Sequence, residues 1–207
     1  MNLFSMDNLF FRTMSKITDL VWLNILTLLG CLPVITGGAS LTAMYSVLLR
    51  MVRDEEGSVT RNFIRGFREN FKNATKVWIV ALLAALFFFM DFNILRQGVL
   101  DGYETLYKVS IAAITILIVL LLMILQYTFP LLARYDRDLK GTLRNAVIIM
   151  VARVPRTVSM LIIWLFPVAL MILSNYFLWF WFLYGLAFPG YFCSMVLRTV
   201  FEKFEEP

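Results

Sequence analysis

The sequence predicts an all-α protein, a polytopic bundle of membrane-spanning helices. Two observations carry that prediction. Sixty per cent of its 207 residues are hydrophobic, above the roughly 45–50% of soluble domains. Charge is also absent from long tracts: residues 20–49, 77–90, 109–133 and 157–197 contain no Asp, Glu, Lys or Arg. A helix crossing a bilayer needs about 20 apolar residues, so most of the chain can be assigned to such helices and their connections. The net charge of +5 sits beside the apolar tracts. That placement reads as membrane topology and predicts no nucleic-acid partner. Residues 1–207 read as a single integral membrane domain.

Taken in order, residues 1–15 read as a short amphipathic lead-in, with Phe4, Phe10 and Phe11 on the membrane surface and without the pattern of a secretory leader. The tract 20–49 is long for one span and short for two. Pro33 breaks or bends a helix and Gly37-Gly38 signals a turn, which gives helices at 18–35 and 39–52. The second reaches only about 21 Å into a core about 30 Å thick. It is either a short tilted span or a re-entrant element, so the total is six spans, or five if 39–52 is re-entrant.

Asp54-Glu55-Glu56-Gly57 reads as a turn. In the amphipathic helix expected at 58–72, Val59, Phe63, Phe67 and Phe71 recur every fourth residue, flanked by Arg61, Arg65, Arg68 and Lys72. That pattern suits an interfacial helix. A span follows at 74–92, then a loop over 91–108 containing Gly98 and Gly102, then the least ambiguous span at 109–133. Within 134–156 a second interfacial helix is expected at 141–153. It avoids placing Arg144 at the bilayer centre, a cost of at least ~2.5 kcal/mol, and ends at Val154-Pro155. The last tract divides into spans at 157–174 and 176–197, the second kinked at Phe188-Pro189-Gly190.

Orientation follows from Lys and Arg alone. Segments 50–76 and 134–156 hold seven and six of them, against Arg96 and Lys108 in the loop 91–108. Both basic loops and the C-terminus are therefore expected in the cytoplasm of a bacterial cell, with the protein multi-pass in its cytoplasmic membrane. A weak internal repeat, about 20–92 and 109–175, shows in recurring Leu/Phe-Pro steps and basic segments containing Arg-Asn. Chance recurrence of Pro, frequent in such helices, competes with duplication.

Chemistry-bearing residues are sparse. Histidine is absent, and Cys31 and Cys193 each lie in an apolar run, where a thiol behaves as a small hydrophobe. There is no phosphate-binding Gly-rich motif. No cofactor, metal site or catalytic residue is expected, and the protein is expected not to be an enzyme. Asp54, Glu55 and Glu56 could hold a hard cation, but three consecutive acids beside Gly57 fit a solvated turn better. Arg61, Arg65 and Arg68 could grip anionic lipid or an acidic partner, or simply anchor the loop inside. Among polar residues in the apolar tracts, Asn24 and Gln126 are read as inter-helix hydrogen-bonding groups. A polar cavity lined by Tyr45, Tyr127 and Asn24 would reopen the question of catalysis.

Several ordered blocks resemble the YesL family of bacterial membrane proteins, whose function is unknown. They are L23-N-I-L-T-L-L-G-C-L-P-V-I-T-G-G-A-S40, A43-M-Y-S-V-L-L-R-M-V-R-D-E-E-G57 and F63-I-R-G-F-R-E-N-F-K-N-A-T75, followed by F129-P-L-L-A-R-Y-D136, L139-K-G-T-L-R-N-A146, V154-P-R-T157 and F188-P-G-Y191. The resemblance runs over essentially the whole chain. It implies several membrane helices and a genomic neighbourhood of carbohydrate ABC-transporter genes, and supplies no catalytic residue. Its motif residues here are Leu32, Pro33, Gly37, Arg53, Asp54, Glu55, Glu56, Gly57, Phe67, Asn70 and Phe71. Pro33 and Gly37 are expected to shape the membrane turn, and Asp54 to Gly57 the elbow. Asn70 is expected to bond the elbow helix to a neighbouring loop. The function expected is that of an accessory or partner-binding subunit linked to carbohydrate ABC transport or use. It would contact membrane lipids and either transporter subunits or a second copy of itself. The alternative is a small transporter or permease component for a carbohydrate or related solute.

Overall fold

The structure is a computed structural model and describes residues 3–55, 57–100, 104–135, 138–173 and 182–205. Its elements are α1 (Leu3–Cys31), a 3-10 turn (Val34–Thr36), α2 (Gly37–Val52), α3 (Val59–Leu100), α4 (Glu104–Arg134), α5 (Leu139–Ala152), α6 (Val154–Leu173) and α7 (Ala187–Glu205). Among the described residues every regular element is helical, and five helices are long and apolar enough to cross a membrane: Phe11–Cys31, Val34–Val52, Val59–Asn93, Tyr107–Arg134 and Val154–Ile172. The protein is a polytopic helical bundle.

The bundle is organised around α2. Twelve of its 16 residues are buried, because α1, α3, α4 and α7 all pack on it. Small residues let them approach: Ala39 and Ala43 are fully buried, and a Cβ on Gly38 would lie 2.7 Å from the Ala74 carbonyl oxygen of α3. Around this seam Leu23, Met44, Leu48, Met160, Leu197 and Phe201 complete a continuous apolar core.

The structure differs from the sequence reading at three junctions. The turn before α2 is made by Leu32-Pro33 and the 3-10 residues, where Thr36 Oγ1 donates to the carbonyls of Gly30 (2.7 Å) and Pro33 (2.8 Å). Gly37 and Gly38 begin the helix, Gly37 with ordinary helical φ, and serve the close packing on Trp78. Second, the amphipathic segment and the following span form one uninterrupted 42-residue helix. Nothing between Phe71 and Val77 breaks it, since Asn73-Ala74-Thr75 contains neither Gly nor Pro. Third, this helix runs on through most of the expected loop to Leu100.

The described part of the lead-in, from Leu3, is likewise continuous with the first long helix. α5 ends at Ala152 and α6 begins at Val154, where Pro155 sits in the first turn and gives up no needed donor. Pro189 is the third residue of α7, a position that tolerates proline without a kink. The expected 176–197 span begins in residues that lie outside the described ones.

Candidate functional site

The two ends of the bundle offer different surfaces. At the end where α2 turns into α3, the last turn of α2 closes on itself. The Asp54 N–H donates to the Met51 carbonyl (3.2 Å) and the Glu55 N–H to the Arg50 carbonyl (3.1 Å). This closure requires a left-handed residue, and Asp54 supplies it with φ 56°. Its carboxylate is then aimed at α1, where Lys16 Nζ donates to it at 2.7 Å and Arg12 pairs with it at 2.8 Å. The Lys16 hydrogen bond, then the Lys16 charge, then Arg12 hold the Asp54 carboxyl below its usual range. Arg53 pairs with Glu55 at 3.4 Å, and Gly57 faces the Asn62 side chain. Glu56 lies outside the described residues.

Behind this elbow is a polar cleft of about 620 Å³, whose wall includes Asp19, Arg50, Lys16 and Asn62. No group of His, Cys, Asp and Glu among the described residues could hold a metal. Asp54 and Glu55 are engaged with cations of this chain instead.

α3 carries the second feature. Phe63 packs inward, and the rings of Phe63, Phe67 and Phe71 succeed one another at 6.3 and 5.5 Å. On its other face Arg61, Arg65, Arg68, Lys72 and Lys76 are exposed, in a stripe about 22 Å long at the helical rise. Among the described residues none of the five forms an ion pair. Asn70 donates to the Gly66 carbonyl of its own helix at 3.1 Å, so it does not tie α3 to a loop.

The polar residues of the apolar tracts are joints between helices. Asn24 Nδ2 donates to the Phe182 carbonyl (2.7 Å), while its Oδ1 accepts the Leu186 and Ala187 N–H groups (both 2.9 Å). One side chain of α1 thus caps the start of α7. Sequence reasoning saw an inter-helix role for Asn24, though not this cap. Tyr45 accepts from Trp164 Nε1 at 3.3 Å and Tyr127 bonds the Thr157 hydroxyl at 2.9 Å. Asn24, Tyr45 and Tyr127 are packed in the core and line none of the clefts described here.

A second cleft, about 530 Å³, opens between α3 and α4 and is lined by apolar side chains such as Leu82, Phe89 and Ile118. Its few polar groups are spoken for, since Thr115 Oγ1 donates to the Ile111 carbonyl (2.8 Å) and Trp78 Nε1 to the Val34 carbonyl (2.7 Å). Leu32 and Pro33 are exposed at the α1–α2 turn, close to this indole.

These features define a polytopic membrane protein with a charged elbow at one end and an apolar hairpin of α3 and α4 at the other. Residues 20–92, which contain the elbow, the turn and the basic stripe, match a family described as "Protein of unknown function, DUF624". No curated protein and no solved structure matches the chain.

Proposed function

We propose that this protein is a non-catalytic accessory subunit of the bacterial cytoplasmic membrane that binds a carbohydrate ABC transporter through its cytoplasmic face. The observation that carries the reading is the exposed basic stripe of Arg61, Arg65, Arg68, Lys72 and Lys76. Five cations on one helical face, with Glu69 as the sole acid between the first and the last, suit an acidic protein surface, and Arg in particular suits paired carboxylates. Arginine-rich segments also belong on the cytoplasmic side, where the nucleotide-binding machinery of such transporters lies. The link to carbohydrate transport is supported by the resemblance to the YesL family. A permease is favoured less, because the α3–α4 cleft presents hydrocarbon and satisfied polar groups where a sugar would need free donors and acceptors.

The test is affinity purification from native membranes. Wild-type protein is expected to bring down a transporter subunit in stoichiometric amount. The Arg61→Gln/Arg65→Gln/Arg68→Gln variant, expressed at the same level, is expected to lose it. A wild-type preparation with no stoichiometric partner defeats the reading.

A further inference from the structure

α3 acts as a ruler across the membrane boundary. Its segment from Val59 to Asn93, which contains the apolar span, is 35 residues long, about 52 Å at the helical rise, against a hydrocarbon core of about 30 Å. Part of it must stand outside the core, and its outward face shows which part. Successive exposed positions read Arg61, Arg65, Arg68, Lys72 and Lys76, and then, on the same face, Ile79, Leu83, Leu86 and Met90. The change from cations to hydrocarbon falls beside Trp78, a residue type that favours the bilayer interface.

α2 lies along the cationic part of this ruler. Gly66 of α3 is against Ala43 and Ser46, and Gly38 against Ala74 and Trp78. The Trp78 indole bonds Val34 just before α2 begins. α2 therefore begins at the level where α3 passes from charge to hydrocarbon. At that level the turn between α1 and α2 exposes Leu29 (56%), Leu32 (75%), Val34 (64%) and Ile35 (58%). Water is a poor neighbour for such a tip. α2 itself has no need of lipid along its length, since most of its surface is covered by protein.

We propose that the α1–α2 hairpin does not cross the membrane: it stands on the side of the basic stripe, and its Leu29–Ile35 tip inserts among the acyl chains of the near leaflet. The hairpin is then a lipid-contacting wedge, and both its ends lie on one side. The inference is independent of any transporter partner.

Single cysteines at Leu32, Ile35, Gly57 and Gly102, in a Cys31→Ser/Cys193→Ala background, test it with a membrane-impermeant maleimide on intact cells and on inverted vesicles. Leu32 and Ile35 are exposed, so their replacement leaves the core untouched. Gly57→Cys and Gly102→Cys are expected to react from opposite sides. Leu32→Cys and Ile35→Cys are expected to react from neither. A fluorophore placed on Leu32→Cys with a permeant reagent is then expected to be quenched by phospholipids spin-labelled on their acyl chains. Reaction of Leu32→Cys or Ile35→Cys from the Gly102 side means that α2 crosses, and overturns the proposal. Reaction from the Gly57 side without quenching puts the tip in water and overturns it equally. Labelling of Gly57→Cys and Gly102→Cys from one side removes the ruler itself.

Discussion

Asp54 shows how much one residue can be asked to do. It adopts a left-handed backbone that costs most residues about 1–2 kcal/mol, and it gathers Lys16 and Arg12 onto the elbow. The two roles separate by substitution. Asp54→Asn keeps a residue type tolerant of that backbone and loses the ion pairs. Asp54→Ala loses both, and should melt lower than Asp54→Asn in detergent by the equivalent of ~1 kcal/mol. The pH dependence has a definite sign. Because Lys16 and Arg12 hold the folded carboxyl below the usual carboxylate range, its pairs contribute at neutral pH and are lost as pH falls through its lowered folded value. The melting difference between wild type and Asp54→Asn should therefore begin to shrink below about pH 4 and disappear only further into acid, once the paired carboxyl is itself protonated. Asn24 makes a harder prediction. Asn24→Leu strands one carbonyl and two N–H groups in the core, at ~1–3 kcal/mol each. It should shift the protein from a monodisperse to an aggregated peak in size-exclusion chromatography.

At the scale of elements, the α2–α3 seam is the close one. Gly38→Ala pushes a methyl against the Ala74 backbone, which cannot retreat without parting two helices, and overpacking of this kind costs ~1–3 kcal/mol. Gly141 in α5 meets nothing within 4 Å of the same added atom, so Gly141→Ala should stabilise by ~0.5–1 kcal/mol. Thermal unfolding of the pair should move in opposite directions. The contrast also marks what a sequence reveals about helices. The break at Arg153, just before Val154-Pro155, was legible because proline has a local rule. The continuity of α3 was obscured because Asn73-Ala74-Thr75 looks like a boundary while permitting a helix. The glycines at 37 and 38 suggested a turn because sequence records flexibility and omits the indole that needs their small size. The elbow was legible as a turn, but its partners on α1 were not, since Lys16 and Asp54 meet only through tertiary packing.

Over the whole molecule, helical class and apolar spans followed from composition and charge spacing, since lipid imposes so few solutions. Which helix sits in the middle did not. Apolar periodicity is the same for a side chain facing lipid and one facing protein, so nothing in 37–52 announced that α2 is the hub. The arrangement also knits the two halves of the chain together: Asn24 bonds the start of α7, Tyr45 meets Trp164, and Arg198 donates to the Val52 carbonyl at 3.0 Å. Residues 1–102 expressed alone should be degraded, whereas co-expressed fragments 1–102 and 103–207 should co-purify. Stable accumulation of the first fragment by itself would show that the hub needs no cover from the second.

The Asn24 cap has a consequence for biogenesis. Its backbone partner Leu186 lies 162 positions later in the chain, which at ribosomal speed is a delay of about 10–30 s. Through that interval the amide has no permanent acceptor or donor, so the opening helix must be held by water or by the insertion machinery until the closing helix is born. The nascent protein can lock only after α7 arrives.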